Sequence, residues 1–241
     1  LKNFITVLLS SLFIVYSCNK DKQTTDSKKS NTSKAIQKES ARSKTQQKAS
    51  ETRKEPSDFV SNEYEIQYDA EGDLNQDGLA DMALVLRKKT DTLAQRKMLV
   101  LLKNPDKTYR LDKISETVLP DEYNEYGYKM HDPEDISIEK GVLNIKLYDI
   151  GPYGNQFSTF RYMKGNLILT YIETYNMGAG SHSALYYEPL KGKVVEETIN
   201  TMKEDMPAST ETFKVKKEIF LFEKASPDDI IRKVYDSITH E

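Results

Sequence analysis

The densest group of oxygen-bearing side chains in the sequence is Gly72-Asp73-Leu74-Asn75-Gln76-Asp77-Gly78-Leu79-Ala80-Asp81. Oxygens at positions 1, 3 and 5 of a tight loop can converge on one hard cation, and a glycine at position 6 allows the sharp turn. Position 7 offers a backbone carbonyl and position 9 a further oxygen, often through water. On this spacing the candidate ligands are Asp73, Asn75, Asp77, the Leu79 carbonyl and Asp81. Three carboxylates and an amide suit calcium better than magnesium, because calcium accepts more ligands in looser geometry. The same residues are also the natural ones for a metal-free Asx turn.

Position 12 of an EF-hand loop would be a bidentate Glu; here it is Leu84, inside Met82 to Leu86, which reads as a strand. The segment Gly72 to Leu86 resembles the calcium loop of FG-GAP and VCBS-type repeats, in which the loop joins two strands. The resemblance implies Asp73, Asn75, Asp77 and Asp81 as side-chain ligands of a structural Ca2+. Those families repeat the motif, whereas this chain carries one copy, so the expectation is an isolated loop on another β fold. Lacking the carboxylate at position 12, the loop is expected to bind weakly, on the order of 10⁻⁴–10⁻³ M.

Other candidate chemistry is sparse. His131 stands beside Asp132, Glu134 and Asp135, where it could serve as a general acid or base, but a solvated loop is the expected setting. His182, in the Gly-rich run Asn176 to Ser183, reads as a turn, and His240 is penultimate. No catalytic residue is assigned. Tyrosine is in excess, 15 against 8 Phe, and Tyr123, Tyr126, Tyr128 and Tyr153 fall in expected loops. Tyrosine offers contact area and a hydrogen-bonding tip at small entropic cost, which suits glycan or protein recognition, and packing in half-buried loops suits it equally.

The elements that must position these residues follow three successive compositions. Residues 1–18, LKNFITVLLSSLFIVYSC, hold one Lys and then 13 uncharged residues from Phe4 to Tyr16. That run is shorter than the roughly 20 apolar residues of a membrane span and has the length of a signal-peptide core. Val15-Tyr16-Ser17-Cys18 resembles a bacterial lipobox, which implies cleavage before Cys18 and lipidation, palmitate included, of this sole cysteine. One cysteine also excludes a disulfide framework. Several acyl chains on one residue would anchor the chain firmly.

Residues 19–58 carry 11 basic and 6 acidic residues and little apolar bulk beyond Ile36. They read as a disordered Lys/Ser/Thr-rich tether with an end-to-end distance of roughly 35 Å. From Phe59 to Glu241 the net charge is −9, an acidic domain, and the −3 of the whole chain argues against a nucleic-acid binder held by overall basicity. Alternating runs there, among them Tyr64–Tyr68, Met82–Leu86, Met98–Leu102, Leu143–Leu147 and Leu167–Tyr171, read as strands. Lys140-Gly141, Lys164-Gly165, Lys191-Gly192 and Asn104-Pro105-Asp106-Lys107 read as turns between them. Ser226-Pro227-Asp228-Asp229 followed by Ile230, Ile231, Val234 and Ile238 reads as a capped C-terminal helix. Residues 120–135 read as a long polar loop. The expected fold is mostly β, an antiparallel meander forming a β-sandwich or partly closed barrel with one C-terminal helix.

The chain as a whole resembles lipoproteins of Gram-negative bacteria such as the Bacteroidetes. Asn19 after the cysteine is unlike the Asp that retains lipoproteins in the inner membrane, so the outer membrane is favoured, with its face left open. The function class expected is a non-catalytic binding or envelope-associated module with an envelope protein or glycan as partner. The alternatives are an envelope-polymer hydrolase using carboxylates near His131, such as Asp132 or Glu134, and a periplasmic inhibitor or immunity-type lipoprotein.

Overall fold

The structure is a computed structural model that describes residues 51–149, 151 and 153–239. The signal segment with Cys18, the tether as far as residue 50, and His240 lie outside the described residues. The described residues form two antiparallel sheets and one α-helix. The five-stranded sheet contains β1 (Thr52–Arg53), β2 (Tyr64–Gly72), β3 (Asp81–Lys88), β4 (Lys97–Lys103) and β5 (Tyr109–Ser115), in the order β1-β5-β4-β3-β2. The seven-stranded sheet is a meander in chain order: β6 (Glu134–Glu139), β7 (Val142–Leu147), β8 (Asn155–Met163), β9 (Asn166–Met177), β10 (Ser181–Glu188), β11 (Lys193–Asn200) and β12 (Ala208–Lys214). The helix α1 (Pro227–Thr239) follows. The sheets do not close on one another, so the architecture is a sandwich and not a barrel.

Alternation decides which side chains are buried. In the seven-stranded sheet, Leu143, Ile145, Phe160, Leu169, Ile172, Tyr187 and Val194 point to one shared core. Phe222 meets Phe160 edge to face with 5.4 Å between ring centroids. Burying each such ring is worth roughly 1.5–3 kcal/mol. The central strands β3 and β4 differ from the alternation read in the sequence, being apolar along their whole length because both faces are buried. Ala83, Val85, Met98, Val100 and Leu102 join the shared core, while Leu84, Leu86, Leu99 and Leu101 form a second cluster with Tyr109.

That second cluster is covered by Phe59, Val60 and Tyr64, and residues just upstream of the expected boundary at Phe59 pack beside it. Thr52 and Arg53 pair with Arg110 and Tyr109, and Pro56–Phe59 forms a 3-10 turn. The Arg53 guanidinium lies over the Phe59 ring at 5.2 Å. Eight residues assigned to the tether therefore belong to the folded body.

The sheets meet where β2 approaches β6. A Cβ built on Gly72 would stand 2.5 Å from the Ile138 carbonyl oxygen, so only glycine permits the approach. Tyr162 of β8 also donates its hydroxyl hydrogen bond to the Asp112 carboxylate of β5. The turns form as expected at Lys140-Gly141 and Lys164-Gly165, where both residues have positive φ. The Asn104 turn closes through an Asn104 N–H to Thr108 O bond of 2.8 Å. Ser226 caps α1, accepting the Asp229 N–H on its hydroxyl at 3.3 Å, and Pro227, Ile230, Val234 and Ile238 are its buried stripe. Among the described residues no helix is long and apolar enough to cross a membrane.

Candidate functional site

The inner face of the seven-stranded sheet is not apolar throughout. Cross-strand pairing sets Gln156 of β8 opposite Thr174 of β9, Thr174 opposite Leu185 of β10, and Leu185 opposite Glu196 of β11. One step along the same face, Asn176 stands opposite Ser183. These polar positions alternate in phase with core residues such as Ile172 and Tyr187, and so point inward. They floor a cavity of about 420 Å³ roofed by α1 through Asp228, Ile231, Arg232, Tyr235 and Asp236. That is within the size range of small-molecule sites, about 300–1,000 Å³.

The loop before β6 closes one end of the cavity with Met130 and His131. Sequence reasoning places His131 in solvent, but it is 5% exposed, and its Nδ1 is buried without a hydrogen-bond partner. The loop closes on itself through Met130 N–H to Glu122 O, and its end is held beside the chain leaving β7 by Asp132 N–H to Tyr148 O and Tyr148 N–H to Pro133 O. Burial pushes the imidazole below its ordinary pKa, against the opposing pull of Asp228, Glu134 and Asp149. Burial likewise raises the Asp228 carboxyl, with the Gln156 hydrogen bond acting in the opposite sense. The carboxylates expected to work with His131 are engaged elsewhere. The Glu134 side chain is locked onto Arg96 in the interior, and Asp132 is exposed and paired with Lys129 at 3.3 Å.

Tyrosines frame the mouth. Tyr153 lines the cavity, its ring 6.2 Å from that of His131, and its hydroxyl accepts a 2.8 Å bond from the Asn124 amide. Asn124 Oδ1 also accepts the N–H groups of Tyr126 and Tyr128, which shapes a loop tip on which those two tyrosines are 76% and 70% exposed. Of the loop tyrosines picked out in the sequence, Tyr153 alone lines the cavity, Tyr126 and Tyr128 stand exposed on the loop tip that Asn124 ties to it, and Tyr123 bridges to Lys129 at the base of the tip. His182 stands apart, on β10, with its Nδ1 2.8 Å from the Tyr175 hydroxyl.

The oxygen-rich loop between β2 and β3 is a second locus. Asp77 N–H donates to both Asp73 Oδ1 and Asn75 Oδ1 at 3.0 Å, Gly78 N–H to Asp73 Oδ2, and Leu79 N–H to Asp77 Oδ1. These bonds draw the side-chain oxygens of Asp73, Asn75 and Asp77 around one exposed turn, a donor set whose chemistry fits a hard cation. Asp81, the remaining expected ligand, differs from them in burial. It is fully buried, with Oδ2 accepting the N–H groups of Leu74 and Asn75 and Oδ1 that of Lys103. Its carboxylate ties the loop to the end of β4. Among the described residues no three His, Cys, Asp or Glu side chains form a group able to hold a metal by themselves.

No protein-family model, curated protein or solved structure matches the chain. The site must be read from its own geometry.

Proposed function

We propose that this chain is a lipid-anchored cell-envelope binding module, non-catalytic, that takes a hydroxyl-rich ligand such as a glycan into the cavity beneath α1. The observation that supports it is the inward polar row Gln156, Thr174, Asn176 and Ser183 on a face otherwise given to the core. Amides and hydroxyls that both donate and accept match the hydroxyls of a saccharide, and the Tyr153 and Tyr235 rings offer faces for its C–H surface. Asp228, Asp236 and Glu196 outnumber Arg232 in the lining, which favours a neutral or cationic ligand over an anionic one. Tyr126 and Tyr128 extend the contact surface beyond the mouth.

In this reading Cys18 carries the lipid, the outer membrane is the site of anchoring, and Asp73, Asn75 and Asp77 with the Leu79 carbonyl hold a structural calcium ion. The ion would neutralise clustered carboxylates and fix the β2–β3 connection. The binding experiment is a titration of the full chain with peptidoglycan-derived and other envelope oligosaccharides, followed by NMR shifts or calorimetry. Saturable binding that is lost in Gln156→Leu supports the cavity; no binding by any of these glycans overturns the ligand class. Acyl-modified Cys18 in membrane fractions, with release of Cys18→Ala, tests the anchor.

A hydrolase acting on such a polymer is a second reading, favoured by one observation: His131 and Asp228 share the cavity, the first shifted toward the neutral imidazole and the second toward the neutral acid. Turnover of the bound glycan that disappears in His131→Ala would select it over the binding module.

A further inference from the structure

On the opposite flank of α1 lies another groove, of about 530 Å³, between the helix and the chain leaving β12. Its floor is apolar, made by Tyr187, Val215, Phe220, Ile230 and Val234. Its rim carries Lys214, Lys216 and Lys233 against a single acid, Glu218. None of the three lysines has a carboxylate within ion-pair distance among the described residues, although the domain as a whole is strongly acidic. Lys214 also stands directly opposite Lys193 across the β11–β12 pair, an unfavourable juxtaposition of like charges at the same edge.

We propose that this groove binds a single-chain anionic amphiphile, a long-chain carboxylate, with its hydrocarbon on the apolar floor and its head group among Lys214, Lys216 and Lys233. An acyl chain matches an apolar floor bounded by α1 on one side and the chain leaving β12 on the other. The head group supplies the charge that the three lysines lack. Residues 19–50, with 9 basic against 3 acidic side chains, are repelled by this rim and do not suit the groove. The acidic cavity across α1 rejects the same ligand, so the two sites select opposite chemistries.

The test uses the full chain and 11-(dansylamino)undecanoate as a fluorescent probe, displaced by dodecanoate or by the uncharged dodecanol. Saturable, salt-weakened binding with dodecanoate at least tenfold stronger than dodecanol is expected. Replacing Lys214, Lys216 and Lys233 together by Gln should weaken dodecanoate at least tenfold with the melting temperature preserved, since these side chains make no ion pair. Ser237→Trp, which narrows the groove and leaves its charge intact, should weaken both competitors. Equal affinity for the alcohol and the carboxylate, or unchanged binding in the triple variant, overturns the proposal. So does binding confined to anionic phospholipid vesicles, or groove protection that arises only through dimerisation.

Discussion

Arg96 and Glu134 grip each other through two parallel hydrogen bonds of 2.6 and 3.0 Å, with both side chains only 1% exposed. Arg96 immediately precedes β4 in one sheet and Glu134 opens β6 in the other, so the pair fastens the sandwich across its interior. Arg96 also donates to the Pro120 carbonyl at 3.2 Å, which anchors the start of the loop that delivers His131. A fork of planar donors meeting a carboxylate fixes orientation as well as distance.

Removing one member strands a buried charge. Glu134→Ala should lower unfolding free energy by roughly 3–5 kcal/mol. The double variant Arg96→Met with Glu134→Leu should recover most of that loss. Urea unfolding followed by circular dichroism separates the two, and an equal loss in both variants would contradict the stranded-charge account.

The buried imidazole of His131 gives the domain a pH signature. Held below its ordinary value near 6.5, it binds fewer protons folded than unfolded between the two pKa values. Its contribution to stability is therefore complete above about pH 6.5 and is lost as pH falls through that window toward the folded pKa. Melting temperatures of the parent should drop below those of His131→Gln progressively as pH is lowered from 6.5. Parallel curves would place the imidazole in solvent.

Asp228 should trade stability for binding. Its carboxyl is raised by burial, so the ionised form opposes folding at neutral pH, and the opposition fades as pH falls through its folded pKa toward 3.8. Asp228→Asn should accordingly melt higher than the parent at pH 7, with the gain vanishing in acid. The same variant should bind the glycan ligand roughly 10–100-fold more weakly, the equivalent of about 1.5–3 kcal/mol for a hydrogen bond to a charged group.

On the proposed calcium site, the ion and Asp81 should make separable contributions to the β2–β3 loop. At 10 mM calcium and a dissociation constant of about 10⁻⁴–10⁻³ M, mass action predicts roughly 1.4–2.7 kcal/mol of added stability. That corresponds to a rise of roughly 3–10 °C in melting temperature, reversed by chelation. Asp77→Ala should abolish the increment and change the calcium-free protein little. Asp81→Ala should instead cost roughly 3 kcal/mol or more without calcium, because three backbone N–H groups lose their acceptor. Scanning calorimetry of both variants, with and without the ion, reads each effect.

Local rules made much of this fold readable. Leu143-Asn144-Ile145-Lys146-Leu147 alternates because one face of β7 meets the core, and Lys140-Gly141 can only turn. Ser226-Pro227 announces α1 through capping chemistry that needs no tertiary partner. What escaped was set by distant packing. Thr52-Arg53 carries no strand signal and pairs with Arg110 and Tyr109 beside the cluster that Phe59 and Val60 cover. Gln156, Thr174 and Glu196 look like solvent-facing positions until the register places them in phase with Ile172 and Tyr187. Asp228 reads as a helix-start acid, and only the docking of α1 reveals that it faces His131. Phase within the strands was the available signal: a polar residue on the core parity of β8 and β9 marks where a floor must be wet.

The helix α1 is thirteen residues long and borders both cavities. Ile230, Val234 and Ile238 seat it on the sheet, while the residues to either side of that stripe belong to different rooms. The C-terminal segment is thus a partition wall. A chain shortened before Pro227 would lose the wall between the two and, with Ile230, Val234 and Ile238 gone, open the shared core beneath it as well.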